Sequence, residues 1–264
     1  FKNDGDVNVL GAGRTLNVAT LVGTGAFDGN DSGTARNLTV NQSGVSTYGG
    51  SITGVSDFIK QGAGTLTLTG THAYSGLGRV EAGTLIIGSP SAMDAGNDYR
   101  VYDLAILQVA SSVGSPVVGD SVTVDDRGIL DVDSALSIST LTNSGLVQLD
   151  ATLTSSGALA NTGSGRVDAN AGVVAQSVEN DGIWNVLSSQ SVTINGTGAT
   201  GLTGDGVFCL ETEGDDANAC GGTSEAASAT TLTLNQAGNS TFDGVFAGLG
   251  ALDKTGAGTL TLTD

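Results

Sequence analysis

The sequence predicts an all-β fold, a right-handed parallel β-helix (solenoid) that is a fragment of a longer rod. Three features predict it: a composition suited to strands and turns, a long repeat without gaps, and a shorter rhythm of glycine-led strands. Among 264 residues there are 42 Gly, 2 Pro and 1 Trp, with 39% hydrophobic and 14% charged residues. Thr, Ser, Val, Asn and Leu fill much of the rest, which favours strands and turns. No window concentrates Ala, Leu, Glu, Lys and Arg at a 3.6 period, so long helices are not expected. Recurring Leu and β-branched positions argue against disorder. With so few aromatic residues, the core is expected to be thin and repeated many times.

The long repeat sets ARNLTVNQSGVSTYGGSITGVSDFIKQGAGTLTLTG (35–70) over ATTLTLNQAGNSTFDGVFAGLGALDKTGAGTLTLTD (229–264) at an offset of 194. Leu38/Leu232, Asn41/Asn235, Gln42/Gln236, Lys60/Lys254 and the GAGTLTLT core are identical, and Tyr48 faces Phe242. Upstream, NDGDVNVL (3–10) is echoed by NDGIWNVL (180–187) at an offset of 177. The offsets differ by 17, so the second copy carries an insertion of about that size, placed at the Cys209–Cys220 segment. The chain therefore reads as one continuous β-helix, 1–264, holding a little over one super-repeat. Its first residue is Phe, and the last strand breaks off within the repeat. A piece of a longer polypeptide is expected.

The shorter rhythm lies between the echoes. RGILDVDS, SGLVQLDA, SGRVDANA and DGIWNVLS turn on Gly128, Gly145, Gly165 and Gly182, at spacings of 17, 20 and 17. Each alternates apolar with polar, as a half-buried strand does. One rung every ~17–20 residues, with inward Val, Leu and Ile that only a neighbouring rung can cover, fits a parallel β-helix of roughly 13 rungs. Asn143, Asn161 and Asn180 precede successive glycines and are expected to stack as a hydrogen-bonded ladder. An antiparallel β-sandwich also gives short strands, but with turns every ~8–12 residues and larger aromatic anchors. The least regular stretch, 88–119, contains both prolines and is expected to project as a loop or to form a short helical turn at Pro90–Gly96.

A net charge of −18, from 27 acidic and 9 basic residues, disfavours nucleic-acid binding. No run of 18 apolar residues is present, so direct membrane insertion is not expected. Cys209 and Cys220 flank an acidic, glycine-containing segment with no nearby His, which is no metal-ligand set. They read as a disulfide closing an acidic loop, or as two free thiols; a disulfide would indicate an oxidising compartment.

GAGTLTLTGTHAYSGLGRVEAGTLIIGS (62–89) resembles the passenger-associated repeat of bacterial autotransporters, the type V secretion family. Lys60, Gly62, Gly64, Thr65, Leu66 and Leu68 fill its first half, and Tyr74, Ser75, Gly76, Val80, Gly83, Thr84 and Leu85 its second. The motif begins again at Lys254. The resemblance, to members such as the AIDA-like adhesins, implies a β-helical passenger on the surface of a Gram-negative bacterium, anchored by an outer-membrane barrel outside this fragment. It implies roles in attachment, self-aggregation and biofilm formation.

Three places could carry chemistry. Some passengers are serine proteases, but GNDSGT (29–34) has Asn30 where that motif needs Gly. The single His, His72, reads as an exposed turn residue, so a Ser32–His72 pair is not expected. Asp125, Asp126, Asp131 and Asp133 form an acidic group in which Asp131 and Asp133 share one strand face. They suit a cation or a carbohydrate acid/base pair, or simply a solvated face. Glu211, Glu213, Asp215 and Asp216 present a second possible cation or ligand surface, or an exposed hairpin. Neither set is assigned a resident metal, and no cofactor or catalytic residue is expected. The function expected is that of a non-enzymatic extracellular adhesin segment, which self-associates with copies on neighbouring cells or binds a host or surface ligand. The alternatives are a carbohydrate-active or glycan-binding module using Asp125–Asp133, and a passive stalk.

Overall fold

The computed structural model describes residues 1–264 apart from 6, 9–14, 30–35, 94–95, 112–116, 188–189, 197–200, 211–229 and 264. Its described residues form strands and a single 3-10 turn, Pro90–Ala92. Every described strand pairing is parallel. That removes the antiparallel sandwich and leaves a β-solenoid of about ten turns. The turns are divided between two compact units, Phe1–Ile138 and Ser139–Asp264.

In the first unit the front strands are Val45–Tyr48, Thr65–Leu68, Gly83–Ile87, Ala105–Val109 and Ile129–Val132. In the second they are Leu146–Leu149, Arg166–Ala169, Ile183–Val186, Val207–Leu210 and Val245–Gly248. Each turn then crosses to a back strand, such as Ile52–Gln61 in the first unit and Val173–Asn180 in the second. The registers Thr65↔Thr84, Thr84↔Ile106 and Ile106↔Ile129 advance the numbering by 19, 22 and 23 per turn. In the second unit Leu146↔Arg166, Arg166↔Ile183 and Ile183↔Val207 advance it by 20, 17 and 24. The advances of 20 and 17 match the glycine spacing, while other turns reach 22 to 24, so there are fewer turns than the roughly 13 expected. Connections between strands absorb the extra residues while each strand keeps its register.

Alternation sets the core. Leu66, Leu85, Leu107 and Leu130 are fully buried and lie in register on successive front strands, as do Leu68, Ile87, Val109 and Val132. In the second unit the equivalent column runs Val147, Val167, Trp184 and Phe208. Burying each such side chain stabilises the stack by about 1.5–3 kcal/mol. Trp184 and Phe208 stack at 5.3 Å, and small Ala169 sits in the neighbouring column.

The short helical turn expected within Pro90–Gly96 forms at Pro90–Ala92, packed against the coil. Ala92 and Met93 are buried, and a Cβ at Gly119 would lie 2.8 Å from the Met93 Cε. An apolar side chain at 93 turns the loop back onto the coil, and glycine at 119 leaves room for it.

Candidate functional site

The solenoid presents two places where polar side chains gather: the acidic group of the first unit, and the buried polar positions of the repeat. The acidic group is divided by a turn. Asp125 follows the back strand Ser121–Val124, and both its carboxylate oxygens accept from the Arg100 Nε, at 3.0 and 3.2 Å. That bond raises the Arg100 pKa, and the same guanidinium lies 4.9 Å from the Tyr102 ring. Asp126 is exposed at the turn. Asp131 and Asp133 belong to the next front strand and its end. They share one donor, the Gln108 Nε2, at 3.0 and 2.8 Å. So the structure brings Asp131 and Asp133 together on an outer face and places Asp125 and Asp126 elsewhere. Gln108 is a member of this group that sequence reasoning misses; it pairs with Asp131 from the preceding front strand.

Glu211, Glu213, Asp215, Asp216 and Cys220 lie outside the described residues, as do Asn30 and Ser32. Cys209 is buried on Val207–Leu210 and is not a free thiol.

His72 corrects an expectation. It sits on His72–Tyr74, 1% exposed, with its ring 6.3 Å from Tyr48. Neither ring nitrogen has a hydrogen-bond partner, and burial pushes its pKa down to about 4. The parity of the strand explains this: Tyr74 points inward, and so does the residue two before it. His72 is thus a core residue and not an exposed turn residue.

Lys60 is the second buried group. It is fully buried, and its Nζ donates to the carbonyls of Gln61, Gly62 and Ala82 at 3.0, 2.9 and 3.0 Å. Burial lowers its pKa to about 8, while the three carbonyls favour the ammonium that holds them. The lysine of the repeat is therefore a clamp across two successive turns. Gln42 serves the same purpose one turn earlier. Its amide donates to the Thr65 carbonyl and accepts from Ser46 at 2.9 Å. In the second copy Gln236 donates to the Thr259 carbonyl at 2.8 Å and accepts from Ser240 at 3.0 Å.

The asparagine ladder forms as expected. Asn143 Nδ2 donates to Asn161 Oδ1 at 2.8 Å, and Asn161 Nδ2 to Asn180 Oδ1 at 2.7 Å. The same amides also donate to the carbonyls of Arg166, Ile183 and Val207. All three residues are fully buried.

The geometry is that of a repeat built for stacking, and the comparisons agree. The family described as passenger-associated-transport repeat matches residues 58–87 and 252–264, the two stretches that carry Lys60 and Lys254. A curated relative, the adhesin BmaC autotransporter of Brucella suis biovar 1 (strain 1330), is 30% identical over 167 residues. The match covers 63% of this chain and 4% of that protein, so the chain spans a small fraction of its relative's length. No solved structure matches. With its turns stacked in parallel, the chain carries the passenger-associated-transport repeat twice and is similar to an autotransporter adhesin over 63% of its length.

Proposed function

We propose that the chain is an extracellular segment of a bacterial surface adhesin, acting in cell–cell aggregation, biofilm formation or attachment, without catalysis. The observation that carries this reading is the likeness, over 63% of the chain, to an autotransporter named as an adhesin. The buried, unpartnered state of the single histidine argues against serine–histidine hydrolysis. The location that follows is the outside of a Gram-negative cell, with an outer-membrane barrel as anchor. The partners are copies on neighbouring cells or a surface ligand. Outward Thr, Ser and Asn side chains recur along the turns, so contacts weak per turn add by avidity. The Cys209–Cys220 disulfide belongs to the same reading, and peptide mapping under non-reducing conditions tests it.

Beads coated with the purified chain test adhesion directly. Clumping, or capture by a glycan or host-cell surface, is expected; inert beads carrying folded protein would leave the chain a spacer. A second reading, a glycan-binding or glycan-cleaving module, draws on the paired Asp131 and Asp133 carboxylates. A polysaccharide panel addresses it: turnover or binding lost in Asp131→Ala would replace the first reading with this one.

A further inference from the structure

Among the aromatic side chains only Phe1, Tyr102 and Phe246 are not buried, and of these Tyr102 alone lies in mid-coil. It follows Val101, which pairs with Val80 on the preceding turn and Val124 on the next. Tyr102 therefore stands between Glu81 and Asp125, about 4.8 Å from each along the stack. The Arg100 guanidinium lies 4.9 Å from its ring and donates to Asp125.

The turn that carries Tyr102 is strained. The Ala105 amide donates to the Tyr102 carbonyl at 3.0 Å, closing a four-residue turn whose third residue, Leu104, has a φ of 64°. That conformation suits glycine and is costly for leucine. The two preceding turns reach their front strands through glycines, Gly62 at 75° and Gly83 at 67°. Leu104 is the one non-glycine residue with positive φ among the described residues. Its amide donates to the Arg127 carbonyl at 3.1 Å, while its side chain is 68% exposed. So little packing offsets the strain that leucine does less for this fold than glycine would. Two ion pairs flank the turn, Arg100–Asp125 and Arg127–Asp103, both at 3.0 Å. Arg100, Arg127 and Asp103 are exposed.

An outward ring and an aliphatic side chain on one turn, bordered by donors and acceptors, suit a sugar. Its C–H face can lie on the apolar surface while its hydroxyls meet guanidinium and carboxylate. Charge selects among sugars. The two pairs cancel, and Glu81 and Asp126 at the edges are acidic, so sulfated or uronate-bearing chains are disfavoured. We propose that the Tyr102–Ala105 turn, with the Arg100–Asp125 and Arg127–Asp103 pairs, is a binding site for a neutral glycan whose sugar ring lies against Tyr102 and Leu104. The site gives the surface ligand of the adhesion reading a chemical class, and it rests on that reading. It does not draw on Asp131 or Asp133.

The test applies the whole chain to an array of neutral hexose and N-acetylhexosamine oligosaccharides, set beside sulfated and uronate-bearing ones. Retention on neutral members is expected, and Tyr102→Ala should weaken it at least about tenfold. Leu104→Gly should weaken it at least about threefold yet raise the urea midpoint, because glycine relieves the turn. Weaker binding by a more stable chain is not misfolding. Asp131→Ala should bind as the unsubstituted chain does. No retention on neutral glycans, or retention confined to charged ones, would overturn the proposal. So would unchanged binding by Tyr102→Ala, a urea midpoint lowered by Leu104→Gly, or binding lost in Asp131→Ala. Coated beads that still clump, or that attach to cells stripped of glycans, would keep the adhesion reading while this site failed.

Discussion

Tyr48 and Phe242 hold the same place in the two copies of the long repeat, and both are fully buried. Their surroundings differ. The Tyr48 hydroxyl donates to the Gly25 carbonyl at 2.5 Å and accepts from the Asn3 amide at 3.2 Å, and its ring stacks on His72. Phe242 has no hydroxyl and instead packs on Phe246 at 4.9 Å and Phe208 at 5.8 Å. Phe246 stands where the first copy has Ile52. One copy thus ties its aromatic with hydrogen bonds, and the other surrounds it with rings. The slot itself is kept by glycine: a Cβ at Gly50 would lie 2.6 Å from the Tyr48 ring, and at Gly244 2.5 Å from the Phe242 ring. The backbone decides where the ring lies, and its chemistry is free to change.

The largest test of this comparison is apolar cover. Leu66→Ala, in the fully buried column, is expected to cost about 4 kcal/mol in denaturant unfolding, against under about 1 kcal/mol for Leu262→Ala. Equal losses would break the contrast between the copies.

Next is the histidine, which belongs to the first unit alone. Its folded pKa of about 4 lies below the ordinary 6.5. Between those values the unfolded chain binds the extra proton, so stability is fully present above pH 6.5 and is lost as pH falls towards 4. The loss is expected to reach about 3 kcal/mol. His72→Leu should flatten this part of the pH profile; an unchanged profile would show that other groups set it.

Lys60→Met is expected to cost about 2 kcal/mol by leaving three carbonyls without their donor. Lys254→Met, with two acceptors at a half-exposed site, should cost under about 1 kcal/mol. Tyr48→Phe is expected to cost about 1 kcal/mol for a lost buried hydroxyl pair. If it cost nothing, the hydrogen bonds to Gly25 and Asn3 would be incidental to the slot.

Much of this is legible because a strand has a period of two. The inward leucines of TLTL and the ladder asparagines follow from counting alternate residues between glycines. The same count buries His72, two positions before Tyr74, and Lys60, two after Phe58; residue polarity points the other way. The acidic group reads as one because 125 and 133 are close in sequence. The turn at 125–128 carries the chain from one sheet to another, and linear distance does not register that. Gln108 escapes notice for the converse reason, since it is far in sequence and one turn away in space.

The insertion is partly legible. Phe27↔Ile52 and Phe208↔Phe246 are equivalent pairs whose numbers differ by 25 and by 38, so this connection grows by 13. Asn3 reaches the Ala26 carbonyl, and Asn180 that of Val207, across 23 and 27 in the numbering, so this one grows by 4. The offset difference of 17 is thus divided between two connections, and the longer addition includes the cysteine segment. Only paired registers separate the two.

The asparagine row has a further property. Each amide donates to the next in the same direction, from Asn143 to Asn161 to Asn180. Turning one amide over would set oxygen against oxygen on one side and nitrogen against nitrogen on the other. The row therefore has a single sense, its aligned dipoles reinforce one another, and it switches as a whole or not at all. Three side chains at three separate turns carry one shared polarity.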